Sequence, residues 1–268
     1  MLVPVLRVVT WNVWWRFGDW KARQPAILRT LAALDADVVC LQEVWAEEGG
    51  RDQAQVLAGH LGYEAVSTQH RWSGGLSFGN AVLSRLPIGF SESRPLPGPD
   101  GSPGHRHALV AEVAGPVGPI QVFTVHLEYR YDASALRTAQ AAAVARFVAE
   151  HRSDGEGFPP ILAGDLNAVP GSDEVRSLTG LAPVPVPGLV FQDAWEQGGE
   201  GGDGHTWSGA NPYLAEAAWP GRRLDYVMVG WPRARPLGNV VSCRLAGTEP
   251  VDGIQPSDHY AVVADLRT

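Results

Sequence analysis

Short apolar runs rich in valine recur along this chain, and most of them stop on a polar side chain. Val5–Val9 runs into Thr10-Trp11-Asn12, Asp37–Leu41 into Gln42-Glu43, and Pro160–Ala163 into Gly164-Asp165. Continuous β-branched and apolar stretches of this length predict buried strands. Tyr63–Thr68, Asn80–Ser84 (stopped by Pro87), Leu224–Val229 and Tyr260–Leu266 read the same way. His107–Val113 and Ile120–Val125 predict a hairpin around Gly115-Pro116-Val117-Gly118, with His126 at the end of its second arm.

Helical spacing appears in fewer places. Ala26, Ile27, Leu31 and Leu34 predict one helix, and Ala54, Leu57 and Leu61 a shorter one. Leu136, Gln140, Val144 and Phe147 predict the clearest, with Asp132 as a cap. Pro95–Gly104, Leu181–Gly188 and Gln197–Gly204 are loops by their proline and glycine content. Strands alternate with helices without a strict βαβ rhythm, which favours a mixed sheet pair flanked by helices over a doubly wound parallel sheet. No repeat or linker divides the chain, so one domain over 1–268 is expected.

Composition narrows the picture a little. At 268 residues and 45% hydrophobic, the chain suffices for a large core. The balance of 21 basic to 29 acidic residues, net −8, disfavours a sequence-independent duplex binder and leaves nucleic acid as a secondary possibility. Cys40 and Cys243 form neither a disulfide framework nor a metal knuckle. With no membrane-length apolar run and no signal-like N-terminus, the expectation is a cytoplasmic protein, a monomer that does not insert into membranes.

The polar residues at strand ends carry the chemistry. Asn12, Glu43, His126, Asp165 with Asn167, and Asp225 each follow or open an apolar run, and His259 is expected to open the last strand. Carboxylates for a metal, a base for water and donors for phosphoryl oxygens are what phosphate-ester hydrolysis requires. Singly, each is more often a turn or a strand end; their recurrence at strand ends is the signal.

Thr10-Trp11-Asn12-Val13, Leu41-Gln42-Glu43, Gly164-Asp165-Leu166-Asn167, Arg223-Leu224-Asp225-Tyr226 and Ser257-Asp258-His259 resemble, in order, the motifs of the endonuclease/exonuclease/phosphatase superfamily. The resemblance spans nearly the whole chain. It implies a deoxyribonuclease I-like four-layer α/β sandwich of two packed mixed sheets, and attack of water on phosphorus assisted by Mg2+, with Mn2+ or another divalent cation as an alternative. Glu43 is then the direct metal ligand, and Asn12 completes or orients that shell. Asp165 activates water, with Asn167 fixing its geometry or holding a phosphoryl oxygen. His259 donates to the developing charge, or serves as base in an alternative account, and Asp225 fixes its tautomer. Asp258 serves the metal's water shell, facing away from His259 if both lie on a strand. His126 is a second phosphate-side donor.

Asn80, Arg106 and Arg137 are weaker phosphate-binding candidates. Gly104 stands where the family usually has the glutamate that pairs with Arg106, and Trp14 stands where nuclease members often carry an acid, which argues against a second metal. His205-Thr206-Trp207 is a candidate pocket lining, while His60, His70, His105, His107 and His151 carry no pattern. The leading expectation is a phosphoesterase acting on a phosphodiester or phosphomonoester. The alternatives are a DNA endonuclease or exonuclease, and a non-catalytic RNA- or protein-binding regulator that keeps the fold.

Overall fold

The computed structural model describes residues 4–153, 157–216, 219–231 and 236–268. One sheet takes β1 (Val5–Asn12), β2 (Val38–Glu47), β3 (Glu64–Ser67), β4 (His70–Arg71), β5 (Leu76–Ser84), β12 (Val240–Ala246) and β13 (Ala261–Arg267). The other takes β6 (Ile88–Pro97), β7 (Pro103–Gly115), β8 (Gly118–His126), β9 (Ile161–Asp165), β10 (Phe191–Asp193) and β11 (Asp225–Gly230). The helices are α1 (Trp20–Leu34), α2 (Gln53–Leu61), α3 (Ser134–His151), α4 (Asp173–Leu178) and α5 (Ala194–Gly198).

The first sheet runs β12-β13-β1-β2-β5-β3 with β4 on β5, and the second runs β10-β11-β9-β8-β7-β6. Each contains one parallel pair, β1 with β2 and β8 with β9. In each, a long helix makes the crossover that a parallel pair demands, α1 in one and α3 in the other. Both sheets are therefore mixed, as the alternation of strands with few helices predicts.

Period-two alternation sorts the apolar side chains into three buried clusters. Val8, Cys40, Val122, Ile161, Ala163, Val227 and Val229 point between the sheets. Their neighbours Val9, Val39 and Leu41 pack outward with Ile27, Leu31 and Leu34 of α1 and Leu57 of α2. Phe123, Val125, Leu162 and Met228 pack with Val144, Phe147 and Val148 of α3. The layers are thus helix, sheet, sheet, helix, and no helix among the described residues is long and apolar enough to cross a membrane.

Several expectations fail for identifiable reasons. The loop expected over Pro95–Gly104 shrinks to its tip, because β6 runs to Pro97 and β7 starts at Pro103. β6 is an edge strand, where proline's missing N–H breaks no ladder. Asp132 does not cap α3: its N-cap is Ala133, with no side-chain bond. α5 claims the first two residues of the loop expected over Gln197–Gly204. His259 does not open β13, which starts two residues later.

One glycine fixes the closeness of β8 and β9. A Cβ on Gly164 would lie 2.1 Å from the carbonyl oxygen of Val125, its cross-strand partner. Gly164→Ala must push the parallel pair apart beside Asp165, and we expect a loss of at least about 2 kcal/mol of stability, measured by denaturant unfolding.

Candidate active site

The inward-facing ladder turns polar at one end of the sandwich. Val8 is followed on the same face by Thr10 and Asn12, Cys40 by Gln42, Val122 by Thr124 and His126, and Ala163 by Asp165. Cross-strand register then sets His126 and Asp225 on either side of Asp165. These residues are not the exposed strand ends the sequence suggests. Exposure is at most 3%, at His126, so they extend the core rather than leave it.

Glu43 reaches the cluster by a different device. The β2–β5 register shifts by one between Leu41 and Val44, and Glu43 has φ 59°. Strict alternation would send Glu43 to the helix side; the bulge turns it towards the cleft beside Gln42. Its Oε1 stands 4.0 Å from His126 Nε2, which is 3.4 Å from Asp165 Oδ2. Trp14, Trp15 and Asn167 also have positive φ, so backbone strain gathers at this end.

The two histidines are held in opposite states. Arg106 Nη1 lies 2.8 Å from His126 Nδ1. A guanidinium only donates, so Nδ1 accepts and the His126 proton sits on Nε2, facing Asp165 and Glu43. Burial, then the charges of Arg106 and His259, hold His126 well below its ordinary pKa, hence neutral. His259 Nδ1 instead lies 2.8 Å from Asp225 Oδ2. Burial alone would lower its pKa, but Asp225, Asp258 and Asp165 outweigh it and hold His259 well above the ordinary value. We therefore expect histidine 15N spectra at neutral pH to show a neutral Nε2–H ring for His126 and an imidazolium for His259.

The acidic groups are crowded and incompletely satisfied. Asp165 Oδ1 accepts from the Asn167 N–H at 2.8 Å and Oδ2 from Asn12 Nδ2 at 3.1 Å. Asn12 Oδ1 accepts from the Trp14 N–H at 2.9 Å, so Asn12 presents its nitrogen to Asp165. Glu43 Oε2 and Asp225 Oδ1 are buried with no hydrogen-bond partner. Orphaned hard oxygens of this kind fit a divalent cation such as magnesium. Asp165, Asp225 and His259 also bring ligand atoms within 4.8 Å of one another. His259 Nδ1 is already committed to Asp225 there, so the oxygens are the better donors.

Several holding residues escape a linear reading. Arg23 is fully buried and donates to five carbonyls: Val13, Trp14, Trp15, Phe17 and Pro256. It ties the loop after β1 to the segment carrying Asp258 and His259. The one sequence signal is a cation four residues before Ile27, on the apolar face of α1. Ser257 Oγ donates to the Asn12 carbonyl at 2.7 Å and accepts from the His259 N–H at 3.2 Å, a structural role. Thr206 Oγ1 accepts from the Leu224 and Asp225 N–H groups. Gln42 Nε2 joins Thr10 and Thr124 at 3.0 and 3.1 Å across the sheet interface, a polar floor beneath the cluster.

Not every candidate converges. Arg137 Nε pairs with buried Glu174 at 2.9 Å, and Nη1 donates to the carbonyls of Glu128 and Arg130. It fastens the loop after β8 and is not turned to the cluster, because Gln140 and Arg137 serve backbone there. Asn80 lies opposite the bulge, donating to the His107 carbonyl at 2.9 Å. It lines a small depression with Arg106 and His126. Asp258 is not insulated from His259 by strand alternation, since both precede β13; His259, Glu43 and Arg23 all act on its charge. A separate cavity of about 440 Å³, whose lining includes none of the clustered residues, is lined by Trp195, Asp203, His205 and Arg222.

These charges make stability depend on pH. Burial pushes Asp258 up to about 7, with His259 pulling it down and Glu43 pushing it further up. Burial and then Asp225 push Asp165 up to about 6. Without a cation the fold therefore holds protons that the unfolded chain has released, on Asp258 above 3.8 and on His259 above 6.5. Their contribution is fully present below those unfolded values and is lost as pH rises through the folded ones. His126 acts oppositely, but only below its unfolded 6.5. In chelator, the melting temperature should fall between about pH 6.5 and pH 8, and saturating magnesium should restore most of it at the upper end.

Comparison with known proteins agrees with this architecture. "Protein angel homolog 2" of Mus musculus is 30% identical over 163 residues, 57% of this chain and 30% of that protein. "Putative neutral sphingomyelinase" of Drosophila melanogaster is 31% identical over 191 residues, 63% of this chain and 41% of that protein. The chain thus matches well under half the length of these curated relatives. The crystal structure of D. rerio TDP2 complexed with single strand DNA product shares the fold, with TM-score 0.77, 23% identity and coverage of 99% of this chain and 100% of that one. The pattern of the Endonuclease/Exonuclease/phosphatase family matches residues 9–259, and the chain belongs to that family.

Proposed function

We propose that this protein is a magnesium-dependent phosphodiesterase. The observation that carries the reading is the pair of orphaned buried oxygens, Glu43 Oε2 and Asp225 Oδ1, beside one neutral and one cationic histidine. A magnesium ion held by Glu43 would supply Lewis-acid charge to a phosphoryl oxygen. Asp165 sits with both oxygens oriented by Asn167 and Asn12, suited to accept a proton from water. His259, held by Asp225, donates from its free Nε2 to charge developing on phosphorus. His126 offers its Nε2–H from the other side, and Arg106 lends positive charge close by.

A diester has two arms, and the cluster has two flanks. Asn80 and Arg106 border one, beside His126. A diester of a small molecule or lipid headgroup is the favoured substrate, supported by the net charge of −8 and the Drosophila relative's printed name. One observation favours a second reading, single-stranded nucleic acid. Tyr131 and Trp219 are exposed and stacked at 4.6 Å, with Arg222 4.4 Å from the Tyr131 ring, a platform on which a base can stack.

A substrate panel with magnesium tests both readings. Bis(p-nitrophenyl) phosphate, a choline-headgroup diester and a single-stranded oligonucleotide serve as probes. Asp165→Asn and His259→Ala should each lower kcat by about 10²–10⁴-fold. Glu43→Gln should abolish magnesium activation. Steep loss of turnover with salt would favour nucleic acid. A wild-type protein inert towards every probe would overturn the hydrolytic reading.

A further inference from the structure

Three histidines without any sequence pattern meet at the open edge between the sheets. His105 and His107 alternate on β7 and therefore share one face of it. His70, on the short edge strand β4, stands over them, with its ring centroid 4.3 Å from that of His105 and 6.5 Å from that of His107. Two imidazoles bound through nitrogen to one tetrahedral ion, at metal–nitrogen distances of about 2.0–2.1 Å, put their ring centres roughly 5 Å apart. The observed spacings bracket that value.

The tautomer is also set for ligation. His107 Nδ1 lies 3.2 Å from the carbonyl oxygen of His105. A carbonyl only accepts, so Nδ1 carries the proton and Nε2 keeps its lone pair. Metal-binding histidines characteristically tie their non-ligating N–H to a carbonyl or carboxylate in this way. Burial, then the neighbouring rings, lowers the pKa of His70, and burial does the same for His107, so both are unprotonated near neutral pH. The rings are tilted by 41° and 31°, and their nitrogens do not converge as the side chains stand; His105 is exposed and the other two are half-buried, so ligation requires side-chain rotation at this surface.

We propose that His70, His105 and His107 form a binding site for zinc or a similar borderline-soft transition-metal ion, with water as the remaining ligand. The site is distinct from the oxygen donors around Glu43. Ligand softness sorts the two, hard magnesium to carboxylate oxygen and zinc to imidazole nitrogen. Its placement gives it a consequence for access. His105 and His107 line the same depression as Arg106 and His126, so an ion there adds bulk and positive charge to one approach to the cluster.

Cobalt(II) reports the site directly, without reference to turnover. The intact protein, in excess magnesium to fill the carboxylate centre, is titrated with cobalt and followed by its visible d–d absorption. A parallel zinc titration competes against a chromogenic chelator. Tetrahedral cobalt bands and one equivalent of zinc are expected in wild type and in His259→Ala. Both are expected to vanish in His70→Ala/His105→Ala and in the more conservative His70→Gln/His105→Gln, the latter with the wild-type melting temperature. No bands in wild type, bands surviving both double variants, or bands lost through His259→Ala alone would each overturn the assignment. If the hydrolytic reading also holds, zinc should inhibit wild type and spare the glutamine pair; failure of that arm alone speaks against blocked access, not against the site.

Discussion

Concentrated negative charge in a dry place is the constraint around which this molecule is arranged. Glu43, Asp165, Asp225 and Asp258 crowd one end of the sandwich, and burial pushes Glu43, Asp165 and Asp258 above the ordinary carboxylate range. Desolvated carboxylates this close cannot all stay ionised unless positive charge joins them. His259 supplies part of it, and Arg23 and Arg106 add to the local field without a direct hydrogen bond to any of the four. The remainder is a demand for a small hard cation, written into the protein by the cost of leaving the oxygens bare.

The same constraint explains why two imidazoles a short distance apart behave differently. Asp225 gives His259 a carboxylate on its inner nitrogen and keeps it charged. Burial, and then the guanidinium that Arg106 sets in the corresponding place, keep His126 neutral. One ring therefore balances charge while the other contributes a directed N–H without adding to it.

Much of this was legible in the chain itself, and the reason is energetic. Polar residues recurring where apolar runs end or open, in the order of known motifs, mark Asn12, His126, Asp165 and Asp225; that they are buried there, at a cost only partners offset, is visible in the fold alone. The layered mixed fold followed from the same runs. What stayed hidden needs three dimensions. Arg23 looks like any helix arginine until five carbonyls surround it, and Thr206, which reads as pocket lining, instead accepts from the Leu224 and Asp225 N–H groups. Arg137 and Gln140 share a helix face in sequence, but spacing does not say whether that face sees the cleft or the backbone of the next loop. β6 was obscured by prolines that only an edge strand tolerates.

The bulge in β2 has an implication for how such a domain can change over generations. Val39 and Leu41 before it, and Val44 after it, all pack on the helix side, so the extra residue is what lets the strand resume its phase. Removing one residue there would re-phase nothing else: both halves would keep their partners on β5, and only the acid would lose its place at the cleft. A single-codon deletion is thus a short route to a scaffold with the same core and no acid at its cleft.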